Sequence, residues 1–85
     1  MYHVYLLRSI KHPRMTYVGF TTKDVRNRMD EHNLGLTKTT APHIPWAIET
    51  VITFNDILKA KTFERYLKSG SGYSFAKRHF WSCET

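Results

Sequence analysis

The apolar positions of this chain fall into three short β-forming runs and two stretches with helical spacing. YHVYLLRS (2–9) is rich in β-formers and predicts a strand. IKHPRM follows, and Pro13 with its conformationally restricted neighbour marks a turn. MTYVGF (15–20) predicts a second strand, making residues 2–20 an antiparallel hairpin. TTKD then offers N-caps, and over 23–34 Val25 and Met29 stand four apart among charged neighbours, the mark of a short amphipathic helix. Gly35 is its natural C-cap.

Residues 36–45, with three threonines and two prolines, read as a loop. WAIETVITF (46–54) is the most apolar stretch and predicts the third strand. Asn55 and Asp56 cap a second helix whose Ile57, Leu58, Ala60, Phe63 and Leu67 form one apolar face. That helix stops at Ser69-Gly70, and SGYSFAKRHFW restarts as a third, from Ser71 or Ser74. The order is ββαβαα, an α+β arrangement with helices gathered on a sheet.

Composition narrows the class. Eighty-five residues predict one domain over 1–85, and 41% hydrophobic with 14% aromatic residues predicts a packed globule. A domain of this size buries about 60% of its unfolded surface, enough to fold alone. No apolar run approaches the roughly 20 residues of a membrane span. The start, MYHVYLLRSIKHPR, has neither a basic leader nor a small-residue cleavage site and reads as a strand. A single cysteine, Cys83, rules out an internal disulfide framework and fits a cytoplasmic setting. Five histidines without a Cys pair or HExxH spacing argue against structural zinc. Thirteen Lys and Arg against seven Asp and Glu give +6, a balance that favours a polyanionic partner, most often nucleic acid.

Four features carry candidate chemistry. Tyr17 and Gly19 are two apart on a strand and share a face, so Gly19 leaves a patch where a ligand backbone could approach; the plainer account is a bulge. Tyr5 on the partner strand adds a second phenol if the register places it on that face. Arg28 and His32 lie one helical turn apart, away from Val25 and Met29 and so not needed for packing. A guanidinium suits a phosphodiester's charge, and a histidine or phenol can accept the proton of attacking water; the plainer account is a solvated face. Glu64 stands among Lys59, Lys61, Arg65 and Lys68, either as an i,i+4 partner of Lys68 or as a carboxylate ligand for Mg²⁺. KSGSGYS (68–74) offers amides that could cradle a phosphate, with a C-cap and hinge at Gly70 as the alternative. Trp46 and Trp81, with Phe75 and Phe80, are expected in the core.

Taken in order, Val4-Tyr5, Tyr17-Val18-Gly19, Arg28-x-x-x-His32 and Glu64 resemble the GIY-YIG nuclease superfamily over nearly the whole chain. VYLLRS, YVGFTT, RMDEHNLG, PWAIE and ERYLKSGSG are similar to its small standalone members, related to the N-terminal nuclease domain of the bacterial excision-repair protein UvrC. The resemblance implies a three-stranded antiparallel sheet flanked by three helices and metal-dependent cleavage of DNA by direct attack of water. Carried over by residue, Tyr17 is the general base or water-positioning group and Tyr5 the second phenol, able to share that role. Arg28 would stabilise charge on the scissile phosphate, and His32 would assist proton transfer or touch the phosphate. Glu64 would hold a single Mg²⁺ or Mn²⁺. Gly19, Lys23, Arg26, Lys68, Ser69 and Ser71 are the expected nucleic-acid contacts.

Two departures stand out. His3 replaces the first motif's glycine, and residues 56–85 contain no asparagine beyond the glutamate helix, where Ser69 or Ser71 would supply the polar contact. The expected activity is therefore a DNA endonuclease, in repair or recombination, with RNA left open as substrate. The alternative is a non-catalytic module of the same fold that grips nucleic acid or a protein, with a protein partner supplying targeting. Oligomeric state is not written in the sequence.

Overall fold

The computed structural model describes residues 1–81. Cys83 therefore lies outside the described residues. Strands β1 (Tyr2–Ser9), β2 (Thr16–Thr21) and β3 (Trp46–Phe54) alternate with helices α1 (Val25–Asn33), α2 (Ile57–Lys68) and α3 (Gly70–His79) in the expected ββαβαα order. A single 3₁₀ turn, Ala41–His43, interrupts the 36–45 loop. The sheet runs β2-β1-β3, antiparallel throughout. Among the described residues no helix is long and apolar enough to cross a membrane.

Because β1 is central, it is buried on both faces. Val4 and Leu6 join Val18, Ala60, Leu67, Ala76 and Trp81 in the core beneath α2 and α3. Tyr5 and Leu7, pointing the other way, pack with Met29 of α1 and Trp46 of β3. Each fully buried aliphatic side chain here contributes about 1.5–3 kcal/mol. Trp46 and Trp81 are both buried, as their composition-based assignment to the core requires.

Local signals set the helix ends. Asp24 accepts a hydrogen bond from the Arg26 amide at 2.8 Å, and Asp56 one from the Lys59 amide at 3.0 Å. Each such cap is worth about 1 kcal/mol. After α1, Gly35 adopts φ 78°, its N–H bonds the His32 carbonyl, and the Leu36 N–H bonds the Glu31 carbonyl. That paired closure requires the left-handed region, which glycine enters without a Cβ penalty.

Two expectations are corrected in α2 and α3. Leu58 is 73% exposed and is not part of the apolar face. At about 100° per residue it lies some 200° from Ala60, whereas Ala60, Phe63 and Leu67 share one stripe. The third helix begins at Gly70, earlier than Ser71 or Ser74, because Ser69 both ends α2 and caps α3. Its hydroxyl donates to the Tyr66 carbonyl at 2.6 Å and accepts from the Gly72 amide at 3.3 Å. Ser69 is thus occupied as a junction, and Gly70 is the first residue of α3 in place of the hinge expected there. The glycine this junction needs is Gly72, where a Cβ would sit 1.7 Å from the Tyr66 carbonyl oxygen.

Candidate active site

The register answers what the sequence left open. Tyr5 stands opposite Gly19, and Leu7 opposite Tyr17, so both tyrosines project from the same face of the β1–β2 pair as diagonal neighbours. Their ring centroids are 6.4 Å apart. The open patch expected at Gly19 is absent, because the Tyr5 ring fills it. A Cβ on Gly19 would fall 2.2 Å from the ring's Cζ and 2.3 Å from its hydroxyl. Gly19 is itself buried, so it serves the site by admitting Tyr5 instead of admitting a ligand.

His32 overturns a second expectation. It is fully buried, not on a solvated face. Val25, Met29 and His32 follow i, i+4, i+7 spacing, the spacing of a single helix stripe, so α1 turns His32 inward with its apolar residues. Both ring nitrogens are used: Nε2 lies 2.9 Å from the Tyr5 hydroxyl and Nδ1 2.8 Å from the Thr40 hydroxyl. The Thr40 hydroxyl donates to the Thr37 carbonyl at 3.4 Å, which leaves it as acceptor from His32 Nδ1–H. Nε2 then accepts from the Tyr5 O–H, and Arg28 Nε donates to the same phenol oxygen at 3.3 Å. A directional chain thus runs from the buried loop to the guanidinium.

Electrostatics hold this chain in one protonation state. Burial pushes the Tyr5 phenol above its ordinary pKa, with the hydrogen bond and charge of Arg28 working against the rise; the charges of Tyr17 and Glu64 also raise it. Burial, aided by Arg28, lowers His32, so the imidazole is neutral. Tyr5 accordingly remains a phenol, its hydroxyl engaged by both His32 and Arg28. His32, with neither nitrogen facing solvent, positions Tyr5 and does not reach a phosphate itself.

Arg28 is anchored by a residue the sequence reading passed over. Its Nη1 donates to Glu31 at 2.7 Å, and Lys23 pairs with the other Glu31 oxygen at 3.1 Å. Those two partners hold the Glu31 carboxyl below its usual pKa, the Arg28 hydrogen bond being the larger cause. The i,i+3 offset of Glu31 from Arg28 was the available signal. Thr40, also overlooked, carried no signal, because its role depends on how the 36–45 loop folds back.

Glu64 comes from α2, on the opposite face of the sheet from α1. It flanks the Ala60–Leu67 stripe, which leaves its side chain only 21% exposed. One oxygen takes a 3.0 Å bond from Lys68 Nζ, as the i,i+4 spacing predicts. Among the described residues the other oxygen carries no hydrogen bond, and Glu64 is near enough to Tyr5 for its charge to act there. Lys68 Nζ also lies 5.9 Å from the centre of the Tyr17 ring. Lys68 thus brings α2 to the edge strand β2. Among the described residues no three His, Cys, Asp or Glu side chains gather into a metal cage. Arg26 and Ser71 are exposed and stand apart from this cluster.

Two clefts flank the cluster. One, of about 300 Å³, is lined by Phe20, Thr21, Lys23, Arg28 and Glu31. The other, of about 240 Å³, is lined by Thr16, Tyr17, Leu67, Lys68 and Tyr73. No curated protein matches the chain. The model of one protein family, the GIY-YIG catalytic domain, matches residues 1–76. That match spans every residue of the cluster, and the chain belongs to the GIY-YIG family, whose members are nucleases.

Proposed function

We propose that the protein is a divalent-metal-dependent endonuclease that hydrolyses DNA phosphodiester bonds, acting in a cytoplasmic repair or recombination setting. The observation that carries this reading is the Tyr5–His32–Arg28 chain beside Tyr17, with Lys68, the partner of Glu64, 5.9 Å from the centre of the Tyr17 ring.

The residues divide the work of water attack. Tyr17, whose hydroxyl has no partner among the described residues, orients the attacking water and, once its own proton has passed to solvent, takes the water's proton as a phenolate. The water oxygen forms the new bond to phosphorus as the bond to the leaving sugar oxygen breaks, and that oxygen is protonated from solvent. Arg28 presents guanidinium hydrogens to the non-bridging oxygens, in an orientation fixed by Glu31 on one side and Tyr5 on the other. Tyr5 and His32 set that orientation from the buried side. A single carboxylate with one unengaged oxygen fits Mg²⁺ or Mn²⁺, which take one or two protein carboxylates and complete their shell with water and substrate phosphate. Such an ion, held by Glu64, would supply charge neutralisation at the phosphate.

Glu64→Ala is the deciding experiment. It is expected to abolish Mg²⁺-dependent nicking of plasmid or branched DNA while the circular dichroism spectrum stays that of the folded protein. Undiminished nicking removes the metal assignment. Tyr17→Phe keeps the ring and deletes the hydroxyl, with an expected loss of about 10²–10⁴ in rate; full activity removes the base assignment.

One observation favours the second reading, a non-cleaving binding module. Glu64, the carboxylate that would hold the metal, is already engaged by Lys68 at 3.0 Å. Salt-dependent DNA binding with no product across Mg²⁺, Mn²⁺ and Ca²⁺ would favour that reading.

A further inference from the structure

A third cleft among the described residues is larger than the two that flank the candidate site. It encloses about 550 Å³ between the β1–β2 turn and α3, lined by Arg8, Pro13, Arg14, Tyr73, Lys77 and Trp81. It continues into the cleft lined by Tyr17 and Lys68, since Thr16, Tyr73 and Trp81 line both. Its volume lies in the range of small-ligand sites.

The walls combine two chemistries. Tyr73, 45% exposed, packs on the buried Trp81 with ring centroids 6.3 Å apart and tilted by 50°, so Tyr73 offers aromatic surface to a flat ring and Trp81 backs it. Arg14 and Lys77 are exposed cations with no carboxylate partner among the described residues. Arg8 differs from them: its guanidinium is spent on Glu49, the Pro13 carbonyl and the Trp81 carbonyl, so it braces the wall and holds no ligand. The Trp81 indole N–H is buried without an acceptor among the described residues, an unused donor on a lining residue.

We propose that this cavity is a subsite for one unpaired nucleotide next to the scissile phosphate, its base against Tyr73 and its phosphate on Arg14 and Lys77. The assignment rests on the nuclease reading for its occupant, and three features select it. An exposed aromatic face next to cations unpaired among the described residues matches a base joined to a phosphate. Continuity with the Tyr17 cleft places the nucleotide on the strand being cut. A base within a duplex has both faces covered by its neighbours, so only an unpaired or extruded one can enter a pocket. The protein would therefore prefer DNA interrupted by an unpaired nucleotide to continuous duplex.

The test is fluorescence anisotropy of the whole chain in EDTA, where metal-dependent turnover is stopped. Two DNA duplexes of one sequence are compared, one fully paired and one with a single-nucleotide bulge. The bulged duplex is expected to bind about tenfold more tightly. Tyr73→Ala, at a side chain 45% exposed and so cheap to truncate, should erase that preference, bringing the affinities for bulged and paired duplex within about twofold of each other. Joint replacement Arg14→Ala and Lys77→Ala should erase it as well. Equal affinities in the wild type, or a preference that survives both sets of substitutions, overturn the assignment. Absence of cleavage together with an intact, Tyr73-dependent preference would sink the nuclease reading and leave the pocket assignment standing.

Discussion

Replacing Gly19 by alanine tests the packing on which the candidate site depends, because the sign of the effect is diagnostic. In an ordinary strand interior, Gly→Ala stabilises by roughly 0.5–1 kcal/mol through reduced backbone freedom in the unfolded chain. Here the new methyl would lie 2.2 Å from Tyr5 Cζ and 2.3 Å from its hydroxyl. The ring cannot simply swing aside: it is 1% exposed, and its hydroxyl is tied to His32 and Arg28. Overpacking costs about 1–3 kcal/mol, and weakening the two bonds to the phenol adds about 0.5–1.5 kcal/mol for each. A net loss of about 2–4 kcal/mol lowers the melting temperature of a domain this small by roughly 10–30 °C. Urea denaturation followed by circular dichroism measures it, in the wild type and in a Tyr5→Leu background whose shorter side chain leaves the space over Gly19 empty. In that background Gly19→Ala should be neutral or stabilising. An unchanged midpoint for the single variant, or an equal loss in both backgrounds, refutes the account.

The two α3 glycines should separate cleanly in the same melting experiment. Gly72→Ala drives a methyl into the Tyr66 carbonyl and should cost more than about 3 kcal/mol, whereas Gly70→Ala meets nothing within 4 Å and should stabilise by about 0.5–1 kcal/mol. Matching effects would mean the α2–α3 junction is wrongly described. His32 links stability to pH. Burial, then Arg28, lowers its folded pKa below the ordinary 6.5, so the unfolded chain takes the proton first. Its contribution is complete above about pH 6.5 and is lost as pH falls towards the folded pKa. The urea midpoint should drop between pH 7 and 5, and His32→Gln should flatten that slope; an unaltered slope in the variant would contradict the buried neutral imidazole.

Strand and helix identities were legible because each is a local pattern: the β-formers of 2–9, the Asp24 and Asp56 caps, and Gly35 after α1. The pair Tyr17–Gly19 and the spacing Arg28–His32 also pointed to a site. What could not be read was who fills whose space. Gly19 looked like a vacancy because the register that sets Tyr5 over it links strands through a turn of unknown geometry. His32 was misplaced for a different reason. Its i+7 relation to Val25 was present, but a histidine is not counted when apolar stripes are sought. Thr40 carries no pattern at all, since its partner is eight residues away across an irregular loop. Leu58 failed in the opposite sense: an apolar residue was assigned to a face by its type when its angle placed it elsewhere.

Among the described residues Tyr5 lies on the one strand with a neighbour on each side, and this has a dynamic consequence. Its amide and those beside it can exchange with deuterated solvent only when the whole sheet comes apart, so the buried half of the site shares the protection of the entire molecule. The exposed half, Tyr17 on the edge strand and Lys68 at the last turn of α2, belongs to segments that open more readily. The arrangement joins a rigid anvil to a looser jaw, and adjustment to a bound strand falls to the jaw alone.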